Sequence, residues 1–254
     1  MKILGLIPAR YASTRFPGKP LAIIAGKPMI QWVYERASKV FDWCYVATDD
    51  DRIKHAVEAF GGKVVMTSEL HRSGTDRCAE ALDIFQSELN ILFDVVVNIQ
   101  GDEPFIQPQQ LSRVVSCFTN PDVQIATLVK PFAPTEDVFN PNSPKVIVNQ
   151  NSEAIYFSRS VIPFIRGKEQ SQWPNSFRYL KHIGLYAYRA DVLRRITRLQ
   201  QTPLELAESL EQLRWIENGY RISVVETDLE TLAVDTPEDL EKVKQVADRM
   251  LNER

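Results

Sequence analysis

Cysteine, histidine and glycine are scarce in this chain, and each scarcity closes off a class of function. Among 254 residues the three cysteines, Cys44, Cys78 and Cys117, are isolated and odd in number. They form no Cys-x-x-Cys pair, so neither a disulfide framework nor a thiolate zinc site is indicated. Small buried hydrophobes in a reducing compartment suit them better. With only His55, His71 and His182 available, histidine-based metal chemistry is not indicated. The 10 glycines compose no Gly-x-x-x-x-Gly-Lys-[Ser/Thr] and no Gly-x-Gly-x-x-Gly, which removes the P-loop and the dinucleotide fingerprint. His-Glu-x-x-His and Gly-x-Ser-x-Gly are missing as well. Long apolar runs are absent too. The N-terminal one is broken by Pro8 and Arg10, too short for a signal-peptide core, and none approaches the ~18 residues of a membrane span. A net charge of −3 lacks the basic excess of a general nucleic-acid binder. The expectation is a cytoplasmic protein with neither nucleic acid nor membrane as partner.

What is present is ordinary in bulk, at 44% hydrophobic and 25% charged residues. The length suits one large α/β domain, with or without a subsidiary lobe. Ile3, Leu4, Leu6 and Ile7 read as an inner strand of a parallel sheet, ended by Pro8. An apolar stripe then predicts a helix over 29–40. Further strands are expected over 44–47, 63–66 and 94–99, with helices over 52–60 and 75–89 between them. Asp49-Asp50-Asp51 supplies a cap and Gly61-Gly62 a stop. This alternation predicts a mostly parallel, doubly wound sheet. The second half is less regular. Four prolines predict a loop with one short helix over 131–144, followed by a hairpin from 145–148 and 154–157. A mobile polar loop is expected over 166–178, strands over 183–188 and 222–226, and one helix over 205–218 stopped by Gly219. Thr236-Pro237 opens a terminal helix to about residue 250, as an N-cap followed by proline at the first helical position.

With the familiar site types gone, the remaining equipment is carboxylates, cations and backbone amides, the tools of phosphoryl or nucleotidyl transfer. Arg10, Arg15 and Lys19 follow the first strand in quick succession. Ligands of open α/β sheets bind beyond the carboxyl ends of strands, where three cations describe a polyphosphate cradle. A solvated basic loop is the plainer alternative. Asp102, in Gln100-Gly101-Asp102-Glu103-Pro104, closes the 94–99 strand on the same edge, so it can hold Mg²⁺. A turn aspartate bonding backbone amides would look the same. Asp235 is not needed for capping, since Thr236 serves; it is a candidate second ligand or a simple loop residue.

At this point the chain resembles a known family. Residues 7–21 are similar to the N-terminal signature of the 3-deoxy-manno-octulosonate cytidylyltransferases, the CMP-Kdo synthetases. So are 47–49, Ser73-Gly-Thr-Asp-Arg77, Asn98-Ile-Gln-Gly-Asp-Glu-Pro104, Tyr156-Phe-Ser-Arg159, His182-Ile-Gly-Leu-Tyr186, Leu210-Glu-Gln-Leu-Arg214 and 234–239. They occur in family order and cover nearly the whole chain. The resemblance implies a nucleotidyltransferase-type α/β fold with a smaller sugar-binding and dimerisation lobe, in one domain spanning 1–254. Roughly 1–130 would serve CTP, 131–220 the sugar acid and the dimer, and 221–254 would return to the main sheet. It implies attack by the anomeric hydroxyl of Kdo on the α-phosphorus of CTP, giving CMP-Kdo and pyrophosphate for lipopolysaccharide synthesis. It further implies Mg²⁺ as cofactor and a homodimer. Carried over by position, Arg10, Arg15 and Lys19 would grip the triphosphate, and Ala9, Ala47, Asp49, Ser73, Gly74 and Thr75 would line the cytidine site. Asp102 and Asp235 would hold the metal. Gln100, Arg159, Arg166, His182, Tyr186, Glu211 and Gln212 would surround the sugar acid. A cytidylyltransferase for another keto-sugar acid, such as 8-amino-Kdo or an acylneuraminate, would share most of these segments. A sugar-1-phosphate nucleotidylyltransferase would have a loop richer in glycine. A non-catalytic nucleotide-binding regulator could dispense with the second aspartate.

Overall fold

A computed structural model describes residues 1–12, 15–230 and 232–252; Ser13 and Thr14 of the basic loop lie outside the described residues. Along the chain come β1 (Ile3–Ala9), β2 (Ile23–Ile24), β3 (Lys27–Pro28), α1 (Met29–Ala37), β4 (Trp43–Thr48) and α2 (Asp51–Ala59). Then follow β5 (Val64–Met66), α3 (Gly74–Leu89), β6 (Val95–Asn98), α4 (Pro108–Ser116), β7 (Ile125–Pro131), β8 (Lys145–Val148) and β9 (Ala154–Ser158). The chain ends with β10 (Leu180–Arg189), α5 (Ala190–Ile196), α6 (Pro203–Glu208), α7 (Gln212–Glu217), β11 (Ile222–Glu226) and α8 (Pro237–Asn252). It divides into two compact units, Met1–Ser112 with Thr231–Arg254, and Arg113–Glu230.

In the first unit β6, β1, β4 and β5 lie side by side, all parallel, with α1, α2 and α3 as the crossovers. Leu4, Leu6 and Ile7 of β1 and Val95, Val96 and Val97 of β6 have no exposed surface. Neighbouring residues of a strand face opposite sides, so both faces are covered, as parallel strands require. The chain steps outward from β1 to β4 to β5, and α3 then brings β6 back to the other flank of β1. The order therefore reverses between β1 and β6, the switch point where such sheets bind ligands. Pro8 does not end β1, contrary to expectation. Pairing with β6 stops at Leu6↔Asn98, while Pro8 still aligns with Ala47 of β4. The absent N–H of Pro8 faces the side where β6 has already left, so no ladder bond is lost.

The second unit is organised around β7. Strand β11 pairs with it in parallel and β10 antiparallel; β8 joins β10, and β9 joins β8, both antiparallel. The mostly parallel expectation thus holds for the first unit, while hairpin-type connections make the second mixed.

Four local expectations need correction. The helix expected over 205–218 is two helices, α6 and α7, broken at Ser209, which adopts a left-handed φ of 51°. Thr202 and Glu205 form a capping box with Pro203 at the first position, an earlier start than the apolar spacing suggested. Buried Glu205 then holds Arg214 of α7 at 2.7 and 2.5 Å, and Leu206 between them in sequence is 61% exposed. Residues 132–144 form no helix. Asp137 and Asn140 accept hydrogen bonds from the backbone two residues on, making turns instead. The loop over 166–178 is packed down rather than loose: Trp173 is buried and donates its indole N–H to the Lys168 carbonyl at 3.1 Å. Finally, α4 and α5 were not anticipated; each is short and amphipathic, with α4 opened by Pro108.

Candidate active site

The switch point of the first unit opens into a cavity of about 270 Å³. The end of β1 brings Ala9 and Arg10 to it, and the segment after β6 brings Gln100, Gly101 and Asp102. The N-terminus of α3 adds Ser73 and Gly74. Ser73 caps that helix by accepting from Asp76 N–H at 3.1 Å, and a helix N-terminus favours an anion through its free amides. Two glycines keep the floor low. A Cβ on Gly101 would lie 2.9 Å from the Pro8 carbonyl oxygen, and one on Gly74 would lie 3.3 Å from the Pro8 ring. No larger residue fits at 101 without moving backbone.

Charge is concentrated on one side. Lys19 Nζ donates to Asp102 Oδ2 at 2.6 Å and stands 3.7 Å from Asp235 Oδ1. Arg15 reaches the same Asp235 oxygen at 3.2 Å. The backbone makes this convergence: Val234 N–H donates to the Asp102 carbonyl at 2.9 Å, stitching the segment before α8 to the end of β6. The cap of α8 is supplied by Thr236 and Asp239, which bond each other's side chain and backbone. Asp235 is thereby left to face the cations. The two carboxylates share one ammonium, an arrangement of hard oxygen donors that fits a divalent cation with few protein ligands.

Nine expected residues therefore line one cavity: Ala9, Arg10, Arg15, Lys19, Ser73, Gly74, Gln100, Asp102 and Asp235. Gln100, assigned by resemblance to the sugar acid, lies among the nucleotide residues. Three expected cytidine residues do not line it. Ala47 is wholly buried in β4, Thr75 is buried inside α3, and the Asp49 carboxylate is engaged by Arg77 at 2.7 Å. Arg77 is the residue that sequence reasoning passed over. It is 4% exposed, lines the cavity, and also donates to Thr67 Oγ1 at 2.5 Å. Its signal was a cation one turn into a helix capped by Ser73. His71 and Arg72 were missed as well; His71 Nε2 is 2.5 Å from Glu80 Oε2.

The remaining expected residues lie in the second unit, where the surroundings are dry and aromatic. The His182 ring packs 5.2 Å from both Phe157 and Tyr186, and Tyr186 packs edge-on against Trp215 at 5.1 Å. Burial pushes His182 down to about 4 and Tyr186 well above its ordinary value, with the nearby Glu211 charge adding to the latter. His182 is thus neutral near pH 7 and is not the cation that a carboxylate ligand would seek. Thr127 Oγ1 has its single proton committed to the carbonyls of the β10 bulge, Leu185 at 2.9 Å and Ile183 at 3.2 Å. His182 Nε2–H therefore donates to Thr127 at 3.1 Å. The Tyr186 hydroxyl and the Gln212 amide nitrogen are buried with no partner among the described residues. Arg159 is a structural tie, its guanidinium donating to the carbonyls of Glu208, Pro141 and Ser209 at 2.6, 3.0 and 3.3 Å. Arg166 is exposed, and no hydrogen bond or ion pair joins it to the others among the described residues. The structure brings His182 against Tyr186 and the Glu211 charge near Tyr186, with buried Gln212 next in the chain; it does not gather Arg166.

A family model described as Cytidylyltransferase matches residues 4–222. A 3-deoxy-manno-octulosonate cytidylyltransferase of Parabacteroides distasonis is 62% identical over 246 residues, covering 95% of this chain and 96% of the relative. The enzyme of that name in Bacteroides thetaiotaomicron is 60% identical over 248 residues, covering 96% and 98%. Among solved structures, CMP:2-keto-3-deoxy-manno-octonic acid synthetase complexed with CTP superposes with a TM-score of 0.89 at 44% identity, covering 98% of this chain and all 100% of that one. A cytidylyltransferase from Leptospira borgpetersenii, at 17% identity and a TM-score of 0.64, shares the fold alone. With identity of this level along nearly its full length, the chain belongs to the 3-deoxy-manno-octulosonate cytidylyltransferase family.

Proposed function

We propose that this protein transfers a cytidylyl group from CTP to the anomeric hydroxyl of 3-deoxy-manno-octulosonate, releasing pyrophosphate. The observation that carries this reading is the meeting of Arg15 and Lys19 with Asp102 and Asp235 at the β1–β6 switch point. The relatives named for that reaction, and the similar structure solved with CTP, support it.

In this reading Arg10, Arg15 and Lys19 hold the triphosphate and offset the charge that builds on the reacting phosphorus, which is catalysis by prearranged electrostatics. Ala9 and the Ser73-Gly74 turn offer small side chains and amides to the pyrimidine nucleoside. Tyr186 and Gln212 supply neutral donors to the sugar acid, and His182, whose Nε2–H is taken by Thr127, offers Nδ1 as an acceptor beside Glu211, which accepts from its hydroxyls. Asp102 and Asp235 would hold Mg²⁺, which when bound neutralises phosphate charge and polarises the phosphoryl oxygen. The reading includes a homodimer in the cytoplasm. No helix among the described residues is long and apolar enough to cross a membrane. Cys44 and Cys78 are buried thiols, and burial pushes Cys44 up to about 12.

Pyrophosphate release with CTP and a panel of keto-sugar acids tests the proposal. Turnover is expected with the octulosonate and CTP, and much less with UTP, because a hydrogen-bonding site discriminates against the wrong base edge. Turnover only with a different keto-sugar acid, or equal turnover with UTP, would overturn it. Sedimentation at monomer mass would remove the dimer.

A further inference from the structure

The loop that carries the three cations is itself held by a contact outside the cavity. Tyr11 follows Arg10 directly, and its carbonyl accepts from Gly18 N–H at 2.9 Å, closing the loop one residue before Lys19. Gly18 is left-handed, with φ 72°. A Cβ there would stand 3.1 Å from Tyr11 Cζ and Oη, so the phenol end of the ring fills the space that glycine leaves. The face of the same ring carries the Arg52 guanidinium, its central carbon 3.3 Å from the ring centre.

Arg52 is not a loose surface cation. Its Nε and one terminal nitrogen fork onto Asp50 at 2.9 and 2.6 Å, and Asp50 also caps α2 by accepting from Arg52 N–H at 2.9 Å. The guanidinium plane is thereby fixed, and a fixed plane stacks on an aromatic face better than a mobile ammonium does. From the start of α2 the chain of contacts runs Asp50, Arg52, Tyr11, Gly18, and the next residue is Lys19, whose ammonium meets Asp102.

We infer that Tyr11 is a positioning residue for the triphosphate loop, clamped by Arg52 so that Arg10 and Lys19 are presented in their binding arrangement before the nucleotide arrives. The inference rests on the assignment of this loop to the triphosphate. Its benefit is preorganisation: a loop ordered in advance does not charge its ordering entropy to binding. Among the described residues no hydrogen bond or ion pair joins the Tyr11 ring or Arg52 to a cavity side chain, so removal of the clamp acts on nucleotide affinity and leaves sugar-acid binding alone.

The test measures CTP affinity by calorimetry, the KM for each substrate, and the melting midpoint, on the full chain. Tyr11→Leu keeps apolar bulk but loses the ring face, and it is expected to weaken CTP roughly tenfold. Tyr11→Phe keeps the face and should stay within about twofold of the parent. Arg52→Gln should weaken CTP about two- to fivefold, the range of one exposed cation–π contact. In all three the KM for the sugar acid and the melting midpoint should hold. Equal losses in Leu and Phe would overturn the clamp, because the hydroxyl rather than the face would matter. Unchanged CTP affinity in Tyr11→Leu would overturn it too, and so would a lowered melting midpoint with normal affinity per folded molecule. Arg52→Gln alters an exposed side chain, so the inference stays refutable even where a Tyr11 variant fails to fold. Lys19→Ala separates the two layers. If it also binds CTP normally, the loop assignment itself has failed; if it loses CTP while Tyr11→Leu does not, only the clamp has.

Discussion

The two groups of expected site residues occupy opposite physical settings. In the first unit the chemistry is carried by full charges at strand ends, open to solvent, with Arg15 67% and Asp235 47% exposed in their side chains. In the second unit it is carried by neutral groups in an apolar enclosure, where burial lowers His182 and raises Tyr186. The charged group largely satisfies itself, Arg15 and Lys19 each resting on a carboxylate. The neutral group leaves the Tyr186 hydroxyl and the Gln212 amide unpaired. An unpaired buried polar atom costs stability, so these two atoms gain most from a ligand that bonds them. Exposed ion pairs contribute little to folding, so the charged site can exchange partners at small cost. Substitutions in the first unit should therefore register in activity, and those in the second in both activity and stability.

The largest expected effect concerns the two aspartates. Asp102→Asn and Asp235→Asn keep shape and remove charge, and turnover should fall on the order of 10²-fold or more. The melting midpoint should move little for Asp235→Asn, because Asp235 is half exposed and its pairs are surface pairs, and somewhat more for Asp102→Asn, whose pair with Lys19 is largely buried. If the midpoints fall while activity per folded molecule survives, the aspartates are structural and the contrast between units collapses. Near-normal turnover in Asp235→Asn would remove Asp235 from the proposed metal site.

Next come the cations, which the structure ranks. Lys19 is 15% exposed and touches both carboxylates, whereas Arg15 touches one. Lys19→Ala should raise the KM for CTP more than Arg15→Ala. The loss of one charge-assisted contact is worth about 1.5–3 kcal/mol, roughly ten- to a hundredfold. The reverse ranking would show that the loop reorganises when nucleotide binds.

The same contrast explains what could be read from the sequence. Charges at strand ends are legible because strand, turn and charge are local patterns, and Arg10, Arg15, Lys19 and Asp102 follow their strands directly. The meeting of Asp235 with Asp102 was not legible from spacing; it depends on the Val234–Asp102 backbone bond between remote segments. Arg77 was hidden because an arginine inside a helix reads as solvated surface, yet Asp49 and Thr67 draw it inward. The helix break at Ser209 was masked by a continuous apolar spacing. In the second unit the buried polar cluster left almost no trace. His182 and Tyr186 alternate with apolar residues as any half-buried strand would, so only the resemblance marked them.

A smaller effect is expected from Tyr186→Phe. Removing a buried hydroxyl with no partner should leave the melting midpoint unchanged or slightly higher. If that hydroxyl binds the sugar acid, the KM for the sugar acid should still rise several-fold, by the ~1 kcal/mol of one neutral hydrogen bond. A drop in stability instead would show that the hydroxyl is paired within the folded chain and is not waiting for substrate.

A pH effect is expected from His182. Its value in the folded chain is pushed from 6.5 down to about 4 by burial. Between those values the unfolded chain binds a proton that the folded chain refuses, so folding stability must rise with pH across that window. The His182 contribution is therefore lost as pH falls from about 6.5, with a slope of at most ~1.4 kcal/mol per pH unit for one proton, and levels off below about 4. The refused proton would sit on Nδ1, since Nε2–H already donates to Thr127. His182→Gln keeps an amide N–H able to reach the Thr127 hydroxyl but has nothing to titrate. Urea unfolding of parent and variant from pH 4 to 7 should thus give a sloped line for the parent and a flatter one for the variant. Equal slopes would mean that His182 is protonated as easily folded as unfolded. The second unit would then admit charge as the first does, and the division between an open ionic site and a closed neutral one would fail at its central residue.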